Sequence, residues 1–158
     1  MTLIADASPI ITFARAERLW LLHQVVGTLW IPDAVWQEIV VEDRLGAVEM
    51  QQGSWLRWQA VVQRERVGAL PRKLGRGERE AILLTEELHS ALLVDDPAAR
   101  QEATRRNIPV LGSLSILRTA KRHGLILEVT SHLNALRATG FRIHDELATR
   151  LLREMGEA

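Results

Sequence analysis

Cysteine is missing from all 158 residues, which excludes disulfides and any thiolate-held metal. No apolar run approaches the roughly 20 residues that cross a bilayer, so no membrane partner is expected. Met1 leads into an apolar stretch with neither a basic region nor a long hydrophobic segment; no signal peptide is expected, and the cytoplasm is the default location. An excess of one charge is also lacking: 20 basic and 20 acidic side chains cancel, so no global field demands a nucleic acid or a membrane surface. Repeats, low-complexity tracts and linkers are absent. The remainder, 47% hydrophobic and 25% charged, is ordinary for one folded domain with a real core. Residues 1–158 are therefore read as one unit, with a core over about 1–125 and extra helices over about 126–158.

What the chain does contain is organised around Ala91-Leu92-Leu93-Val94-Asp95-Asp96-Pro97. An apolar run too short for a helix ends in two adjacent carboxylates, and Pro97 suits the first position of a following helix. Leu3-Ile4-Ala5-Asp6 repeats the design, with Ser8 as expected N-cap and Pro9 at N1 of the next helix. Further strands are expected over Thr28–Ile31 and Pro109–Gly112, and an edge strand at best over Trp55–Val62. Helices are expected to follow each: Leu19 to Val26 stopped by Gly27, one opened by Pro32-Asp33, and Glu78–His89. Others are expected from Pro97 to about Arg106, from a Ser113 cap to about His123, and near Glu128–Thr139 and His144–Met155. A polar helix or loop is expected over 42–52 and an exposed basic loop over 63–77. Strands alternating with helices imply βαβ crossovers and a mainly parallel sheet between helical layers.

Open α/β sheets place their sites at the carboxyl ends of strands. Asp6 and Asp95 end strands there, Asp96 begins a helix, Glu78 opens the helix leading to the Asp95 strand, and Glu38 edges an apolar helix face and is expected to point inward. Taken singly, each reads equally well as a cap or a solvated helix acid. Crowded together they repel, and a hard divalent cation held by oxygen is the usual remedy. Such an ion activates water and offsets charge on a phosphate.

The segments Ala5-Asp6-Ala7-Ser8-Pro9, Ile31-Pro32-Asp33-Ala34-Val35-Trp36-Gln37-Glu38, Leu74-Gly75-Arg76-Gly77-Glu78, Leu93-Val94-Asp95-Asp96-Pro97 and Pro109-Val110-Leu111-Gly112-Ser113 together resemble a PIN domain, in its prokaryotic VapC-like branch. The resemblance runs through nearly the whole chain in order. It implies an α/β/α sandwich and a ribonuclease acting on single-stranded RNA with Mg²⁺ or Mn²⁺. The family's acids match Asp6, Glu38 and Glu78, and its last acid falls at Asp95 or Asp96. Ser8 and Ser113 match small hydroxyl positions that orient a carboxylate or water, although helix capping explains both. Relatives often carry Asp where this chain has Glu78, and a Thr-Asn-like pair where it has Asp95-Asp96. The resemblance further implies a toxin of a toxin–antitoxin pair, a small antitoxin partner and a homodimer.

Basic residues offer RNA contacts at Arg72, Lys73, Arg76 and Arg100, against the plainer reading of a solvated face. Trp20, Trp30, Trp36, Trp55 and Trp58 offer base stacking, although Trp20 and Trp30 read more plainly as core or interface, and Trp55 and Trp58 on an edge strand could serve a dimer. Two other functions stand beside the nuclease: a catalytically weak PIN fold that binds RNA or protein, and, ranked last, a receiver-like phosphoacceptor at Asp95-Asp96.

Overall fold

The computed structural model describes residues 2–42 and 55–158. The segment expected as a polar helix or loop over 42–52 falls mostly outside the described residues. Five short strands form one sheet: β1 (Leu3–Ala5), β2 (Leu29–Ile31), β3 (Leu56–Trp58), β4 (Ala91–Leu93) and β5 (Val110–Leu111), in the order β3-β2-β1-β4-β5. Every pairing is parallel, with Ile4 opposite Trp30 on one side and Leu92 on the other. Successive strand residues point to opposite faces, and all three residues of β1 and of β4 are buried. Both faces of the sheet centre are therefore covered, which defines a three-layer α/β/α sandwich.

The covering helices are α1 (Ala7–Arg15), α2 (Leu19–Val26), α3 (Asp33–Glu42), α4 (Arg76–Glu87), α5 (Pro97–Arg105) and α6 (Ser113–Arg122). Two more, α7 (Thr130–Ala138) and α8 (Asp145–Glu154), follow as expected. Their lines of Leu and Ile enter one core with Phe13, Ile10, Leu22, Ile39, Leu84, Leu117 and Leu136, all fully buried. Gly27 and Gly124, each at φ 73°, take the left-handed turn that ends α2 and α6, a conformation other residues adopt only with strain. Among the described residues no helix is long and apolar enough to cross a membrane.

Four local expectations are corrected. Ser8 is not a cap: α1 begins one residue earlier, and Asp6 occupies the cap position without a side-chain bond. Ser113 is likewise the first residue of α6, not its cap. The segment expected as a loop over 63–77 contains a 3₁₀ turn, Arg64–Ala69, because Leu70 and Leu74 are buried and tie it to the core. β5 is a half-buried edge strand rather than a buried one.

Candidate functional site

The strand order turns back between β1 and β4: the chain steps outward through β2 and β3, then crosses to β4 and β5. That reversal opens a crevice beyond the carboxyl ends of β1 and β4. Asp6 leaves β1 there, and its backbone N–H donates to Leu93 O at 3.0 Å, so the two strand ends are bonded side by side. Asp6 is only 4% exposed.

Three further acids share its field. Burial first, and then repulsion from Glu78, Glu38 and Asp96, pushes Asp6 up to about 7. Glu78, two residues into α4, is also pushed up to about 7, by burial and then by Asp96 and Glu38. Its Oε2 is buried with no hydrogen-bond partner, as befits an acceptor surrounded by acceptors. Glu38 is exposed rather than inward-pointing. Its carboxylate lies across the start of α4, where Gly77 makes room: a Cβ there would collide with Oε1 and stand 3.0 Å from Cδ. Asp96 caps α5, accepting from Ala99 N at 2.9 Å through Oδ2.

Asp95 has a different environment. Its Oδ1 accepts from Ser113 N at 2.8 Å and its Oδ2 from Ser113 Oγ at 2.5 Å. Asp95 therefore caps α6 and ties β4 to β5. Burial pushes its carboxyl above the ordinary carboxylate range, and the Ser113 bonds and nearby Arg100 oppose the rise. Arg100 is drawn into the same knot, donating through Nη1 to Val94 O at 2.9 Å. Gly112 permits this packing: a Cβ would sit 2.7 Å from Arg100 Nη1 and 3.0 Å from Asp95 Oδ1. The two adjacent acids thus diverge. Asp96 faces Asp6 and Glu78, while Asp95 faces Ser113.

The remaining expected residues lie apart from this centre. Ser8 is exposed in the first turn of α1. Arg72, Lys73 and Arg76 are exposed ahead of and at the start of α4. Two acids with structural roles were not foreseen. Glu80 is buried, accepts from Ala34 N at 3.1 Å and pairs with Arg76 at 3.0 Å, so it joins α4 to the start of α3. Asp33 accepts from Trp58 Nε1 and from Arg64 at 2.7 Å. The Arg76-to-Glu80 spacing of one helical turn signals the pair; the bond to Ala34 has no sequence signal.

Do these residues suit a metal? The donors are all carboxylate oxygens, one of them buried and unbonded, and that chemistry fits a hard divalent cation. Among the described residues, however, no three acidic or histidine side chains converge into a ready ligand group. The four acids share one electrostatic field, with Glu78 and Asp96 close enough for their carboxyls to interact directly. Asp6, Glu38, Glu78 and Asp96 are the residues a cation would draw together.

Five parallel strands between two helical layers, with acids at the switch point, make this a small α/β/α domain with an acidic crevice. The family model DUF3368, described as a PIN domain, matches residues 2–157, and the chain belongs to that family. Among solved structures it is similar to a PilT N-terminus domain protein from the hyperthermophilic archaeon Sulfolobus solfataricus P2, with 16% identity and a TM-score of 0.50. That likeness covers 76% of this chain and 93% of the other, and it concerns the fold. No protein of curated function matches the chain.

Proposed function

We propose that the chain is a metal-dependent endoribonuclease hydrolysing phosphodiester bonds of single-stranded RNA. One observation carries the proposal: four carboxylates are gathered at the sheet's switch point, and their repulsion helps to raise both Asp6 and Glu78 to about 7. Mutually repelling acids are costly to a fold, and carboxylates with strongly shifted acidity cluster at functional sites.

A bound Mg²⁺ or Mn²⁺ supplies positive charge against the scissile phosphate and acidifies a water. The chain's own residues bind and orient. Asp6 is fixed by its bond to β4, and Asp96 is fixed through Oδ2, leaving Oδ1 for the crevice. Glu38 lays its carboxylate against Gly77 at the start of α4, and Glu78 presents its unbonded oxygen. Asp95 and Ser113 hold the strand ends in register, acting through Asp96 rather than on substrate.

The biological setting, by family resemblance, is the toxin of a type II toxin–antitoxin pair, working as a homodimer and inhibited by a small antitoxin. Exposed Val40 and Val41 on α3 offer apolar surface for such a partner.

The test is cleavage of end-labelled single-stranded RNA with Mg²⁺ or Mn²⁺, with and without chelator, by wild type and Asp6→Asn. Metal-dependent cutting that falls at least about a hundredfold in the variant is the expected outcome. Equal cutting by both proteins would point to a contaminant. Inertness with retained RNA binding would favour the binding module.

A further inference from the structure

A second feature at the same sheet edge lies outside the acidic crevice. Trp58 closes β3 opposite Ile31, so it stands at the carboxyl edge two strands from Asp6. Its indole is 60% exposed and stacks on half-buried Trp36 of α3, with ring centres 6.2 Å apart and planes 26° from parallel. Trp58 Nε1 donates to Asp33, which also holds Arg64 at 2.7 Å. The ring is thereby fixed on one face and at its nitrogen, and its surface is left open.

From Arg64 the surface continues into a small cleft of about 90 Å³, whose rim carries Arg64, Arg76 and Glu80. Arg76 stands two residues before Glu78. Both guanidinium side chains are 62% exposed. Each is held on one side by a carboxylate, Arg64 by Asp33 and Arg76 by Glu80. A guanidinium has five N–H groups, so one such bond does not exhaust it. A line of indole, guanidinium and guanidinium therefore crosses the start of α3 and reaches the first turn of α4, the turn that also carries Glu78.

We infer that this line is the approach track of the single-stranded RNA: an unpaired base stacks on Trp58, and the phosphates beyond it lie at Arg64 and Arg76 on the way to Glu78. The inference rests on the nuclease reading for its substrate, and the track is its own claim. A flat, immobilised indole suits every base without sequence preference. Paired guanidiniums suit successive phosphates, which an apolar protein partner would leave unmatched.

The test measures fluorescence anisotropy of a labelled single-stranded RNA oligomer with the full chain in chelator, so that nothing is cut. Trp58→Ala is expected to weaken binding about tenfold, the loss of one stacked base. Trp58→Phe keeps a ring but loses the Asp33 bond, and binding is expected within about threefold of wild type. Arg64→Gln is expected to weaken binding and to flatten its salt dependence. Thermal midpoints of all three serve as the check on folding. Binding by Trp58→Ala equal to wild type overturns the track, as does a Phe variant as weak as the Ala variant. A Trp58→Ala defect seen only in self-association or protein binding overturns it as well. Wild type that binds through Trp58 yet cuts no RNA refutes the nuclease and leaves the track standing. Cutting with Trp58→Ala matching wild type in KM refutes the track alone.

Discussion

Asp6 is a buried carboxylate and Glu157 a half-buried one, and their acidities move in opposite directions. Burial would raise Glu157 too. Instead Lys121, the Thr130 hydroxyl and the N–H groups of Val129 and Thr130 hold it at about 2. It closes the start of α7 and locks the last helices together. Burial drives Asp6 up, three neighbouring acids add to it and one backbone bond opposes it, so it rises to about 7. The same functional group is structural where donors surround it and poised where burial and other acids press on it. The carboxyl edge therefore stores repulsion among its acids, whereas Glu157 in the C-terminal segment is relieved by donors.

The largest way to sharpen this contrast uses the two neighbours Asp95 and Asp96. Asp96→Asn is expected to lower RNA cleavage at least about a hundredfold while the thermal midpoint holds or rises, because a repelling charge is removed. Asp95→Ala is expected to cost about 2–3 kcal/mol in urea unfolding, since two Ser113 donors lose their acceptor. If Asp95→Ala keeps its stability but loses cleavage, the division between the two acids is wrong.

Next in size is pH. Asp6 carries its proton to about 7 when folded and releases it near 3.8 when unfolded. The folded state thus binds more protons across that window, and stability of the metal-free protein falls as pH rises through it. Asp6→Asn should reduce the slope, leaving the part that belongs to Glu78, and gain on the order of 2 kcal/mol near neutral pH, with little gain at low pH, measured by urea melts. Glu157 behaves oppositely. Its folded value of about 2 lies below the ordinary 4.5, so its contribution is complete above 4.5 and is lost as pH falls towards 2. Glu157→Gln is expected to cost about 1 kcal/mol at neutral pH and progressively less in acid.

A smaller effect separates site from scaffold. Gly77→Ala improves the helix propensity of α4 by up to about 1 kcal/mol and displaces Glu38 from its seat. Cleavage should fall while stability holds or improves. A stable, fully active Gly77→Ala would remove Glu38 from the centre.

Much of this arrangement was readable from the chain. The short apolar runs at Leu3–Ala5 and Ala91–Leu93 are strands buried on both faces, and only parallel central strands read that way. The acids at their tips followed from the same pattern. The separate fates of Asp95 and Asp96 were not legible, because they depend on Ser113, eighteen residues away across β4 and β5. Ser8 and Ser113 carry the local signature of a cap, but in both helices the start is set by where the strand ends. Glu80 was hidden for a related reason: its partner Ala34 N is 46 residues distant and has no side chain to announce it.

The central claim is that Asp6, Glu38, Glu78 and Asp96 repel one another and that a divalent cation relieves the repulsion. Thermal unfolding of the purified chain at about pH 7.5, with and without Mn²⁺, tests it most directly. The account predicts that Mn²⁺ raises the wild-type midpoint by about 5 °C, and that Asp6→Asn starts higher and does not move. Equal shifts in both proteins, or none in wild type, would contradict it.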